Sequence, residues 1–317
     1  MRGAFVRALT ELAQRDERIF LAVGDLGFGV VEDFAARFPE QFLNVGVAEQ
    51  NLTGIAAGLA LSGKIVFTYS IANFPILRCL EQIRNDVCYH LANVKIVSVG
   101  GGLAYGALGP SHHATEDLAI MRSLPQMAVV APGDPQETEA ATHAIALHPG
   151  PCYLRLGRAG ESRVHQSRID FQLGRALQVS NGDDLTLIST GGMLQSGVRI
   201  VELLQRHGLK ARLLSMHTVK PLDTEAALSA ALETGAVFTL EEHSVTGGLG
   251  SAVAEVLAES EVKSVTFKRF GLPSSFCSCA GSQEYLRAHY GLSPEAVAEA
   301  ISSILERTRG LAVAANG

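Results

Sequence analysis

Glu49 is the residue whose type and setting most invite chemistry. It opens Glu49-Gln50-Asn51-Leu52-Thr53-Gly54-Ile55-Ala56-Ala57-Gly58-Leu59-Ala60, an otherwise apolar, small-residue helical pattern. Gly54, Ala57 and Gly58 lie three and four apart, so they share one face and allow close backbone approach. Such a helix is expected to be buried and to carry Glu49 in with it. A carboxylate in an apolar site finds a partner, is neutralised or does chemistry. At a helix N-terminus it also complements the dipole, which is the purely structural alternative. The other reactive spacing is Cys277-Ser278-Cys279. A closed metal site needs a second ligand pair, and none sits nearby in the sequence, so no metal is expected there.

The elements that must hold Glu49 are legible as an alternation. Ile19-Phe20-Leu21-Ala22-Val23 is a short apolar run closed by Gly24-Asp25, which suits a buried parallel strand. Further strands are predicted at 41–45, 64–69, 94–99, 128–130 and 152–156. Helices fall at 3–15, 30–38, from Glu49 onward, 75–91, 115–123 and 134–147. Within 75–91, Leu77, Leu80, Ile83, Val87 and Leu91 make one stripe. Residues 158–173 carry Gly, Arg, Ser and Gln with little apolar pattern, so the chain divides into 1–160, a linker at 161–180 and a second unit at 181–317. The second unit has strands at 185–189, 211–214, 236–240 and 265–267 and helices at 194–207, 223–233, 251–259 and 293–308. The tail from Ala312 to Gly317 is expected to fray. The fold class is therefore α/β, two open, mostly parallel sheets with helices on both faces. Ligands of such sheets sit at the carboxyl ends of the strands. That rule gathers Asp25, Glu49, Tyr69 to Phe74, Gly100 to His113 and Arg155 to Arg158 into one region.

The 317 residues suit two domains. A net charge of −6 gives no electrostatic case for nucleic acid or an anionic membrane, and no apolar run is long enough to span a bilayer. The cysteines Cys79, Cys88, Cys152, Cys277 and Cys279 are odd in number and scattered. Met1-Arg2-Gly3-Ala4-Phe5 leads straight into a helical pattern rather than a signal peptide. Free thiols in a reducing cytoplasm are expected.

Four stretches resemble a known family. Asn-Val-Gly-Val-Ala-Glu-Gln-Asn at 44–51, Gly-Pro-Ser-His-His-Ala-Thr-Glu-Asp-Leu-Ala at 109–119 and Arg-Ser-Leu-Pro at 122–125 resemble the pyrimidine-binding domain of transketolases. Glu-Glu-His-Ser-Val-Thr-Gly-Gly-Leu-Gly-Ser at 241–251 is similar to the signature of their C-terminal domain. The chain thus looks like the C-terminal subunit of a split, thiamin diphosphate-dependent transketolase: a pyrimidine-binding domain, then the transketolase C-terminal domain. The resemblance implies that Glu49 hydrogen-bonds N1′ of the thiamin aminopyrimidine and favours the imino tautomer that deprotonates the thiazolium C2. A two-carbon ketol unit then passes from a ketose to an aldose. A buried Glu with a raised pKa can share a proton in that way. The resemblance further implies cofactor contacts from Tyr69 or Phe74, by stacking, and from Arg78. It implies substrate contacts from His112, with His113 beside it, from Arg158 and Arg2 on a sugar phosphate, and from Asp25. For the aromatics, plain core packing is the alternative. Arg suits phosphate because its fork is bidentate and permanently charged.

Two positions depart from the family. Gly100 stands where many transketolases carry a His, and Leu108 where they carry an acid. Both contact substrate in the family, so a ketose other than the ordinary pentose phosphates is expected. The Gly-Asp-Gly…Asn motif that holds the diphosphate through a divalent ion is also missing: the chain has Gly24-Asp25-Leu26, Gly133-Asp134-Pro135 and Gly182-Asp183-Asp184 instead. A hard cation needs such oxygen ligands. The expectation is that a separate N-terminal subunit supplies them with Mg²⁺ or Ca²⁺, in an α2β2 assembly. Alternatives are the β subunit of a 2-oxo acid dehydrogenase decarboxylase, a deoxyxylulose phosphate synthase-like subunit and a non-catalytic regulatory relative.

Overall fold

The computed structural model describes residues 1–315, with side chains as far as Thr308. Twelve strands run in chain order: β1 Ile19–Val23, β2 Phe42–Asn44, β3 Ile65–Ile71, β4 Val94–Val99, β5 Ala128–Val130, β6 Cys152–Leu156, β7 Leu177–Ser180, β8 Leu185–Ser189, β9 Ala211–Ser215, β10 Thr218–Lys220, β11 Ala236–Ser244 and β12 Thr266–Leu272. They form a seven-stranded sheet ordered β10-β5-β6-β4-β3-β1-β2 and a five-stranded sheet ordered β12-β11-β8-β9-β7. Every pairing is parallel except β10 with β5 and β7 with β9. The α/β class and the mostly parallel sheets agree with the sequence reading.

The apolar runs become strands because both faces of the first sheet are covered. Phe5 and Leu9 of the helix Arg2–Arg15 pack on one face with Leu21, Phe67 and Tyr69. Leu52 and Ala56 of the helix Glu49–Leu61 pack on the other with Phe20, Ala22 and Val66. A strand buried on both sides has no use for alternation, which is why these runs are continuously apolar. The helix Pro135–Leu147 starts where Asp134 accepts the Glu137 amide and Pro135 fills the first position.

Four expectations are corrected. Residues 75–91 are not one helix but Phe74–Leu77, Leu80–Gln82 and a π-helical turn Ile83–Cys88. The wider turn shifts the register, so Ile76, Cys79, Ile83 and Val87 are buried while Leu77 and Leu91 are exposed. The stretch 161–180 is not all linker, because β7 occupies its last four residues as an antiparallel edge strand. The short β10 leaves the second unit and closes the first sheet, where Lys220 Nζ donates to the carbonyls of Arg122 and Leu124 at 2.9 and 2.5 Å. The last helix runs Pro294–Ala315, past the 308 expected, and the final two residues of the tail lie outside the described residues.

Candidate functional site

The parallel strands β1, β2, β3, β4 and β6 end along one edge, and the loops that leave them bring most of the selected residues together. Asn44, the last residue of β2, organises the approach to Glu49. Its side-chain oxygen accepts the amides of Asp25 and Gly46, each at 3.0 Å, and its nitrogen donates to Asp25 Oδ1 at 2.9 Å. Asp25, in the left-handed region at φ 57°, thus joins the loop after β1 to the one after β2.

Glu49 begins its helix and is buried, with a side chain only 5% exposed. Its partner is Arg78, whose Nη1 donates to both carboxylate oxygens at 3.1 Å. The same guanidinium lies 4.4 Å from the centre of the Phe74 ring. A flat, nitrogen-bearing group therefore stacks on Phe74 while it hydrogen-bonds Glu49. Arg78 is itself 53% exposed, so it reaches in from solvent and has room to withdraw. The helix does not bury its glycines as expected. Leu52, Thr53, Ala56 and Ala57 face the sheet, whereas Asn51, Gly54, Gly58 and Leu61 are exposed at helical spacing, and nothing lies within 4 Å of where a Cβ of either glycine would sit.

From Phe74 an aromatic track leads across the strand ends. The His112 ring lies 5.2 Å from Phe74 and 6.3 Å from Tyr105, and its Nδ1 shares a hydrogen bond with Ser111 Oγ at 3.0 Å. Arg158 lies over the other part of Tyr105, its guanidinium carbon 5.1 Å from the ring centre. Tyr105 escaped the sequence reading, although the signal was present in Gly100. A Cβ on Gly100 would run into the Tyr105 ring, and Gly100 has φ +86°. Where a side chain is missing at 100, the ring of Tyr105 fills the space.

Three selected residues sit elsewhere. Tyr69 is on the opposite face of β3 from Leu52 and packs on Phe5, ring centres 6.0 Å apart. Residues on one strand alternate faces, so Tyr69 does not border the Glu49 carboxylate. Burial pushes its hydroxyl up to about 12, offset by Arg2. Its edge, with Arg2, Phe28 and Tyr105, lines a cavity of about 180 Å³. His113 is buried and turned into its own loop, Nε2 to the Gly106 carbonyl at 3.3 Å. Arg155 is committed to structure: its Nε and Nη2 bond Asp117 at 2.7 and 3.1 Å, and Nη2 also donates to the Ala114 and Glu242 carbonyls at 2.8 and 3.0 Å.

The stretch 241–251 works as a latch. Burial raises the pKa of Glu241, whose oxygens accept the amides of Leu249 and Gly250 at the start of the helix Leu249–Ala258. Glu242 accepts the Leu103 amide at 2.5 Å and is held by Gln283 and Arg287. Gly102 has no room for a Cβ against Glu242, so the loop that carries Tyr105 and His112 closes directly onto the second unit. Among the described residues no group of three or more His, Cys, Asp or Glu is placed to hold a metal ion, and no helix is long and apolar enough to cross a membrane.

Comparison with known proteins matches residues 1–160 to the transketolase pyrimidine-binding domain and residues 174–297 to the transketolase C-terminal domain. An apulose-4-phosphate transketolase subunit of Phocaeicola vulgatus is 41% identical over 298 residues, 93% of this chain and 94% of that one. The 6-deoxy-6-sulfo-D-fructose transketolase subunit of a Clostridium species is 39% identical over 308 residues, 97% of this chain and 95% of the other. A solved structure described as a split gene transketolase, inactive beta4 tetramer, superposes with a TM-score of 0.87 at 41% identity, covering 96% of this chain and 97% of that one.

Proposed function

Because this chain belongs to the transketolase family, which depends on thiamin diphosphate, we propose that it is the C-terminal subunit of a split transketolase. It takes part in moving a two-carbon ketol unit from a ketose to an aldose when joined to a separate N-terminal subunit. The observation that carries the reading is the buried Glu49 carboxylate beside Phe74. The guanidinium of Arg78 already shows that a planar group can stack on that ring with a nitrogen on both carboxylate oxygens. An aminopyrimidine has the same requirements, so the residues present fit that half of the cofactor. They do not fit the diphosphate half, for which this sequence has no Gly-Asp-Gly.

Thiamin diphosphate, when bound, supplies the carbon nucleophile that accepts the ketol unit. The chain's own residues position the ring, the proton and the sugar. Glu49 presents its carboxyl group to the ring nitrogen, and Arg78 withdraws to admit the ring. His112, steadied by Ser111 and lodged between Phe74 and Tyr105, faces the sugar. Arg158, resting on Tyr105, and Arg2, across the cavity that Tyr105 borders, hold an anionic terminus. The substrates in the names of the two relatives carry a phosphate and a sulfonate, which supports that assignment. Gly100 and Leu108 leave the channel without two polar groups, which favours a ketose other than the pentose phosphates.

The partner supplies the metal-bound diphosphate half, in an α2β2 assembly. Asn51, Gly54, Gly58 and Leu61 give the Glu49 helix a smooth open face on which another helix can pack closely. The relative described as an inactive beta4 tetramer supports the need for a second kind of chain. The test is to purify this chain with and without an N-terminal transketolase subunit from the same source and to assay ketol transfer from phosphorylated and sulfonated ketoses. Activity only in the mixture, and only with thiamin diphosphate, is expected. Full activity of the chain alone overturns the reading.

A further inference from the structure

The function leaves one motif unused. Cys277-Ser278-Cys279 lies in the irregular stretch between β12 and the helix Gln283–His289. Cys277 Sγ is 3.1 Å from the Cys279 carbonyl oxygen and 3.8 Å from Cys279 Sγ. In an extended chain the α-carbons of residues i and i+2 stand about 6.5 Å apart, and their side chains run side by side. Here the two side chains converge instead, so one thiol touches both the carbonyl and the sulfur of the other residue. Both cysteines are half-buried, whereas Cys79, Cys88 and Cys152 are buried. The described residues offer this pair no further His, Cys, Asp or Glu with which to close a metal site.

We propose that Cys277 and Cys279 form a reversible intrachain disulfide, a thiol-exchange site that takes a low-molecular-weight disulfide as its oxidant. The thiolate of one cysteine attacks the incoming disulfide and expels one thiol. The second cysteine then attacks the mixed disulfide at the protein sulfur and expels the other thiol. Two protein thiols are oxidised and one external disulfide is reduced to two thiols. Closing the bond asks the sulfurs to move from 3.8 Å to about 2.05 Å apart, a distance that side-chain rotation can supply. Desolvation, and then the neighbouring Cys277, hold the Cys279 thiol above its ordinary pKa, so the exchange speeds up as the pH rises. The site is placed to matter. The same stretch ends at Gly281, whose carbonyl lies tight against Gly106 in the loop of Tyr105 and His112, and leads to Gln283 and Arg287 on Glu242.

The experiment equilibrates the reduced full-length chain with defined ratios of reduced and oxidised glutathione, blocks free thiols with iodoacetamide under native conditions and maps the peptides by mass. The peptide carrying residues 277–279 is expected to lose two hydrogens and take up no alkyl group as the ratio becomes oxidising. The three buried cysteines are expected to alkylate only after unfolding. In Cys277→Ser, Cys279 is expected to retain a bound glutathione, because the thiol that would release it is gone. Alkylation of both cysteines at every ratio, or a separate glutathione on each in the unsubstituted chain, overturns the proposal.

Discussion

Glu49→Gln exchanges one carboxylate oxygen for an amide and leaves the side chain's shape nearly intact. The structure separates its effects on stability and on turnover. For stability, the loss is one charged contact with Arg78. That arginine is 53% exposed and can hydrate, so the cost should be no more than about 1 kcal/mol. For turnover, the amide cannot hold an exchangeable carboxyl proton for a ring nitrogen. Acid–base groups contribute about 10²- to 10⁴-fold, or roughly 3–5 kcal/mol of barrier. The assay mixes this chain with its N-terminal partner at saturating thiamin diphosphate, follows the aldose product and compares melting temperatures. A loss of at least about 10²-fold in kcat with a nearly unchanged melting temperature is expected. A purified Glu49→Gln enzyme within a few-fold of the unsubstituted one would falsify the assignment, whatever the fold of the chain.

Other expectations follow from the same geometry. Arg158→Ala should raise KM for an anionic ketose with little change in kcat, and Tyr105→Ala should do the same more mildly, by about 2- to 5-fold, because an exposed cation–π contact contributes about 0.5–1 kcal/mol; equal KM values in steady-state kinetics would remove both from the substrate path. Arg155→Met leaves Asp117 buried without its charge partner and should destabilise the chain by about 3–5 kcal/mol in urea unfolding; a loss below about 1 kcal/mol contradicts a structural role for the Arg155–Asp117 pair. Burial of His217 under Phe171 lowers its pKa to about 4 from 6.5. The unfolded chain then binds a proton that the folded chain refuses. Stability should fall as pH drops from 6.5 toward 4, by about 3 kcal/mol at full effect, and His217→Leu should flatten that part of the profile.

The sequence alone determined the alternation of strands and helices, and with it the parallel sheets. A strand covered on both faces must be apolar throughout, and a short run such as Ile19–Val23 closed by Gly24-Asp25 has few other readings. It also pointed to the edge at which the selected loops gather, because parallel strands release their loops at one edge. What it left open depends on contacts between distant segments. Neither Glu49 nor Arg78 announces the other across 29 residues, nor does the stacking of Arg78 on Phe74. The placement of Tyr69 away from the carboxylate follows from the phase of β3 against two helices, which one strand's sequence cannot set. Tyr105 fills the space above Gly100 only because the loop after β4 folds back, held by Glu242 from the second unit. Local propensity acts over a few residues and so is written in order along the chain; the pairing of charges and the filling of space act across the fold, and only the packed molecule decides them.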